Sequence, residues 1–174
     1  MNFTIEKTLE ILERTPSALI SLLQGVSAGW TANNEGGETW SVYDVVGHLI
    51  HGEKTDWLPR AEIILSAAAD KTFPPFDRFA QLEAGEQKSL AQLLEEFAAL
   101  RKANTEHLRA LKITENDLSK TGLHPAFGEV TLEQLLSTWA VHDLDHISQI
   151  ARVMAAQYKA EVGPWKEYLR IVRP

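Results

Sequence analysis

Cysteine is missing from all 174 residues of the chain. That absence excludes disulfides, thiolate metal sites and a cysteine nucleophile, and leaves His, Asp and Glu as the side chains able to ligate a cation. Basic residues are scarce beside acidic ones, 17 against 24, for a net charge of −7. Nucleic-acid and anionic-membrane surfaces need clustered Lys and Arg, so neither partner is expected, and a small-molecule substrate and protein partners remain open. No window holds enough consecutive apolar residues for a membrane span, and Met1-Asn2-Phe3-Thr4-Ile5-Glu6-Lys7 lacks a signal peptide's basic start and apolar run. A soluble cytoplasmic protein is the expectation. Internal repeats, low-complexity tracts and strand-like alternation long enough for a sheet are missing too.

What the chain has is apolar residues at helical spacing, within a hydrophobic content of 44%. One domain over 1–174, with a single core, accommodates that content. Ile5, Leu9, Leu12, Leu19, Leu22 and Leu23 predict a first helix over 4–25, with Thr4 as cap and Pro16 placed to split it. Ser41 and Asp44 form a capping box for a second helix over 41–69, in which Pro59 predicts a bend one turn beyond Thr55. A long crossover loop over 70–84 leads to a third helix over 89–112. There Glu95, Glu96, Arg101 and Lys102 read as a solvated face. An aperiodic connection, 114–130, precedes a fourth helix over 131–160, capped by Thr131 with Gln134 and stopped by Gly163-Pro164. A short tail helix is expected from Trp165 to Val172, and four long helices joined by uneven loops specify an all-α four-helix bundle.

The fourth helix carries the chemistry. His142 and His146 stand one turn apart on one face, about 40° apart on the wheel. Leu135, Trp139, Ile150 and Val153 share that face, so the two rings sit in the stripe directed at the core. A core histidine is commonly satisfied by a carbonyl or carboxylate. Two in register have the alternative of clamping one cation, which removes the desolvation cost of each unpaired imidazole. On the second helix, His48 lies at the edge of the apolar arc and His51 nearly opposite its centre, so His48 is the candidate third ligand and His51 a solvated residue. Glu53 and Asp56 fall inside the arc, where carboxylates need a polar cavity or a differently turned helix. Asp143 and Asp145 flank the histidines as candidates to orient an imidazole N–H, against the plainer reading of exposed residues. Trp57 and Trp139 are candidates for a pocket wall or for core.

Trp40-Ser41, Val46-Gly47-His48-Leu49, Gly128-Glu129-Val130-Thr131 and His142-Asp143-Leu144-Asp145-His146-Ile147-Ser148-Gln149-Ile150 together closely resemble the DinB-like superfamily of DinB/YfiT-like metalloenzymes. The resemblance implies an up-down-down-up bundle with three histidines, here His48, His142 and His146, binding a divalent metal such as nickel or zinc. It also implies a homodimer and kinship with thiol transferases and isomerases that use a low-molecular-weight thiol such as mycothiol or bacillithiol, the candidate co-substrate; metal-activated thiolate or hydroxide attack on a small electrophile, by a metal-dependent transferase or hydrolase, is the expected chemistry. No residue of the chain is singled out as catalytic. Three imidazoles leave open positions on a cation, the arrangement of catalytic sites. The rival expectation is a non-catalytic binding or stress-response module stapled by its metal, and after it a bundle with no metal at all.

Overall fold

Pro16 decides the shape of the first helical segment. Without an N–H it cannot extend the ladder back to Leu12, and its ring crowds that carbonyl. In the computed structural model, which describes residues 2–80 and 88–172, the segment is accordingly two helices, α1 (Ile5–Leu12) and α2 (Thr15–Leu23). Pro16 sits in the first turn of α2, where a missing donor is harmless. Thr4 caps α1 by accepting from the Lys7 amide at 3.2 Å.

After a one-turn α3 (Ala28–Thr31), the Ser41–Asp44 capping box opens α4 (Val42–Thr55). The expected single helix to residue 69 is not formed. The backbone breaks at Asp56, with φ −111° and ψ −74°, and resumes as α5 (Trp57–Leu65). Pro59 has no N–H to offer the carbonyl of Thr55 and would collide with it, so the interruption falls before the proline rather than one turn beyond Thr55. α6 (Leu90–Ala110) has its own capping box of Ser89 and Gln92, and a single turn, α7 (Glu115–Leu118), follows.

The stretch expected to be irregular contains a two-stranded antiparallel hairpin, β1 (Thr121–His124) with β2 (Gly128–Thr131), paired from Thr121↔Thr131 to His124↔Gly128. Strands of four residues are too short to display a period. The crossover segment is tied to this hairpin: the Leu123 amide donates to the Lys71 carbonyl and the Phe73 amide to the Leu123 carbonyl, both at 2.9 Å. Phe73 is buried against Gly122, where any Cβ would overlap its ring. Residues 81–84 of the expected loop lie outside the described residues.

Thr131 caps α8 (Leu132–Ala156) with Gln134, and two short 3-10 turns, Gly163–Glu167 and Arg170–Val172, replace the expected tail helix. Helix directions follow from the contacts. Tyr43 meets Lys88, Lys54 meets Glu96 and Glu62 meets His107, so α4–α5 and α6 run parallel. Leu9 and Leu12 pack with Leu108, Leu132 and Trp139, whereas Leu19 and Leu23 pack with Leu94, Phe97, Ile150 and Val153. Helix one therefore runs with α8 and against the middle pair, giving an up-down-down-up four-helix bundle. Among the described residues no helix is long and apolar enough to cross a membrane.

A polar layer separates the two apolar clusters. Arg101, expected on a solvated face, is 1% exposed at its centre. Its Nη1 donates to Asp143 Oδ2 at 2.5 Å and to the Leu12 carbonyl at 2.9 Å; its Nη2 donates to Asp143 Oδ1 at 2.9 Å and Glu53 Oε1 at 2.8 Å. Glu53 also accepts from Asn104 at 2.9 Å and Trp139 Nε1 at 3.1 Å. Burial disfavours the guanidinium charge, but Asp143 and then Glu53 outweigh it and hold the Arg101 pKa above its ordinary value. The acceptor carbonyl of Leu12 is the one that Pro16 leaves without a helical donor.

Candidate metal centre

His48 reaches inward from α4, one turn before Gly52, and meets the two histidines of α8. Its Nε2 lies 3.2 Å from His142 Nε2, which lies 3.0 Å from His146 Nε2. All three ligand nitrogens fall within 4.8 Å of one another. His48 and His146 are buried, and His142 is partly so. His146 Nδ1 donates to Gln149 Oε1 at 2.7 Å, which places its proton on Nδ1 and its lone pair on Nε2. One proton at most is then left to serve both nitrogen contacts of His142, so the rings cannot satisfy one another.

Burial lowers the pKa of His48 to about 3, helped by the charges of His146, His51 and Arg78 and opposed by the Arg78 backbone beside the ring, which lies short of hydrogen-bond geometry. Burial likewise lowers His142 to about 3, with His146, His48 and Arg101 acting in the same direction. For His146 burial lowers the pKa while Gln149, Asp145 and Asp143 oppose it. Three neutral imidazoles with converging Nε2 atoms are therefore present at neutral pH. Nitrogens bound tetrahedrally at about 2.1 Å to one cation stand about 3.4 Å apart, so the two contacts of His142 match a divalent ion to within a few tenths of an ångström, while His48 and His146, at most 4.8 Å apart, draw together around it. The Nδ1 atoms of His48 and His142 are buried without hydrogen-bond partners. An orphaned buried donor costs about 1–3 kcal/mol, and a cation at Nε2 is what would offset it.

The histidines open onto a cleft of about 1110 Å³. Trp57, edge-on to His142 at 4.9 Å between ring centroids, and Trp40, 4.8 Å from His48, line it. Phe73, Phe76, Phe79 and Phe127 extend the aromatic wall. Asp56 and Arg60 form an ion pair at 2.6 Å on one side, and Glu35 and Arg152 another at 2.8 Å. Burial raises the Asp56 carboxyl pKa against the opposing influence of Arg60.

Comparison with known proteins decides the kinship of this bundle. The family model described as DinB superfamily matches residues 11–150. The chain belongs to the DinB superfamily. A solved structure, YfiT from Bacillus subtilis, is described as a probable metal-dependent hydrolase with an unusual four-helix bundle topology. It superposes with a TM-score of 0.71 at 20% identity, covering 86% of this chain and 87% of that one. No curated protein sequence matches.

In this DinB-superfamily chain the structure brings His48, His142 and His146 together and leaves other histidines apart. His51 is half-buried with its ring 5.0 Å from Phe76, rather than fully solvated. His107 pairs with Glu62 at 3.2 Å on the surface. Asp143 is fully buried but spent on Arg101, and the exposed Asp145 lines the cleft; neither hydrogen-bonds an imidazole. Gln149, three residues beyond His146 and on its face, does that instead, a role its i+3 spacing could have suggested. Of the alternatives for the carboxylates on the second helix, polar surroundings are what the structure provides: Glu53 enters the polar layer and Asp56 faces the cleft. Trp139 is core, whereas Trp57 stacks on it at 5.9 Å and also reaches the cleft.

Proposed function

We propose that His48, His142 and His146 hold one divalent cation, nickel or zinc, through their Nε2 atoms, and that the chain is a metal-dependent hydrolase of a small electrophile bound in the cleft. The observation that carries this reading is the convergence of three neutral imidazole nitrogens on one wall of an aromatic cleft. Imidazole donors suit both metals. The description of YfiT as a probable metal-dependent hydrolase agrees with it. Among the described residues no fourth His, Asp or Glu joins the group. An open coordination position distinguishes catalytic from structural sites, which favours an enzyme over a stapled module.

When bound, such a cation supplies Lewis acidity and lowers the pKa of the nucleophile it takes. The protein's part is preparation. Burial keeps the imidazoles neutral, Gln149 sets the His146 tautomer, and Arg101 anchors Asp143, the residue next to His142, to α4 and α6. Trp40 and Trp57 pack the flanks of His48 and His142 and leave their Nε2 side facing the cleft. In this reading the nucleophile comes from outside the chain, water in a hydrolase or a low-molecular-weight thiol in a transferase, and a cysteine of the chain is excluded because it has none.

Zinc and nickel titration of protein stripped with chelator tests the proposal. Wild type binds one equivalent. Because two ligands hold a cation far more weakly than three, His142→Ala loses nearly as much affinity as the triple His48, His142, His146 replacement. His51→Ala and His107→Ala leave binding unchanged. Full occupancy by His142→Ala at limiting metal overturns the site. Hydrolysis of an ester panel by loaded protein without added thiol supports the hydrolase, and turnover only with thiol replaces it by a transferase.

A further inference from the structure

Arg60 is 6% exposed, yet it lines the same cleft as the histidines. Asp56 Oδ1, one turn earlier, lies 2.6 Å from its Nε and occupies that edge of the guanidinium. The Phe73 ring lies beneath it, with Cζ 5.2 Å from the ring centroid, and the hairpin holds Phe73 in place. An ion pair on one edge and a ring beneath thus hold the group in place. Neither Nη1 nor Nη2 has a hydrogen-bond partner among the described residues, and neither is sealed from solvent. A guanidinium stays charged at any physiological pH, and its terminal fork of parallel N–H groups matches the two oxygens of a carboxylate.

Trp57 connects this group to the histidines. It is three residues from Arg60 on α5, hence on the same face, and it meets His142 edge-on at 4.9 Å. Phe127, 78% exposed at the hairpin tip and stacked on His124 at 4.4 Å, lines the cleft on the same side, since His124 in turn meets Phe73 at 6.2 Å.

We infer that Arg60 is a substrate-binding residue: its free guanidinium fork takes a carboxylate, and the aromatic wall between it and the three histidines takes a flat apolar body, so the substrate class is a small aromatic carboxylate. The inference deepens the hydrolase reading and rests on it for the reacting bond alone, since the carboxylate grip needs no metal.

The test is therefore run without one, on full-length His142→Ala protein, by 19F NMR titration with 4-fluorophenylacetate and 4-fluorophenylacetamide. The acid binds about tenfold more tightly than the isosteric amide. Arg60→Gln removes the preference, and Arg60→Lys, which keeps the charge but not the fork, retains part of it. Where Arg60→Gln strands Asp56 and unfolds the chain, the Arg60→Gln/Asp56→Asn pair replaces it. Equal binding of acid and amide, no binding of the acid up to about 10 mM, or a preference that survives Arg60→Gln each overturns the inference. Failure of metal binding in the titrations above would sink the hydrolase reading and leave this measurement untouched.

Discussion

Arg101 donates a hydrogen bond of 2.9 Å to the carbonyl of Leu12, 89 residues away, and that carbonyl is available because Pro16 cannot use it. A helix break at one end of the chain thus supplies an acceptor for the charge at the centre of the bundle. The same guanidinium bridges Glu53 and Asp143, so it holds α4, α6, α8 and the end of α1 together.

Replacing Arg101 strands two buried carboxylates. Arg101→Met is expected to destabilise the fold by about 3–5 kcal/mol, because breaking a buried pair leaves uncompensated charge. Adding Glu53→Gln and Asp143→Asn recovers a large part of the loss, a non-additivity read directly from urea unfolding midpoints. Equal losses in the single and triple variants would show that packing, not charge, is what Arg101 supplies.

Gln149 acts through His146. Gln149→Leu leaves Nδ1–H without an acceptor and releases the ring's tautomer, and metal affinity is expected to fall about 10–100-fold. Gln149→Glu retains the acceptor and strengthens it. Competition with a chromophoric chelator reports both, and circular dichroism should show the fold unchanged in each.

Acid sensitivity follows from the depressed imidazoles. His48 and His142 sit near 3 in the folded chain, below the ordinary 6.5, so the unfolded chain takes up protons first. Stability of metal-free protein is thus fully present above about pH 6.5 and is lost as pH falls toward 3, with a slope of about 1.4 kcal/mol per pH unit for each ring. Urea unfolding at a series of pH values measures the slope, and His48→Gln/His142→Gln should flatten it.

The hairpin clamp depends on a missing side chain. Gly122→Ala drives a Cβ into the Phe73 ring and against Ile64, which is expected to cost about 1–3 kcal/mol. Gly36→Ala meets no atom, yet its φ of 105° imposes backbone strain instead. Comparing Gly122→Ala with Gly122→Ala/Phe73→Leu separates overlap from backbone effects, since the smaller neighbour should relieve only the former.

Helix positions and the histidine pair are legible in the sequence because their determinants are local. Ser41 with Asp44, Ser89 with Gln92 and Thr131 with Gln134 each close a box within three residues, and His142 and His146 share a face by spacing alone. His48 is distinguished from His51 by its wheel position, and the ligand set of three by resemblance to a family. Tertiary structure alone decided the rest. Leu94, Phe97, Arg101, Thr105 and Leu108 repeat at core spacing, but a wheel cannot say that an arginine in that stripe will be met by carboxylates 42 and 48 residues away. The hairpin at 121–131 is not legible because strands of four residues carry no readable period and are held by a crossover segment about 50 residues distant. Helical periodicity reports what one element would bury; whether a charge is buried, and which nitrogens converge, depends on partners that only the packed bundle supplies.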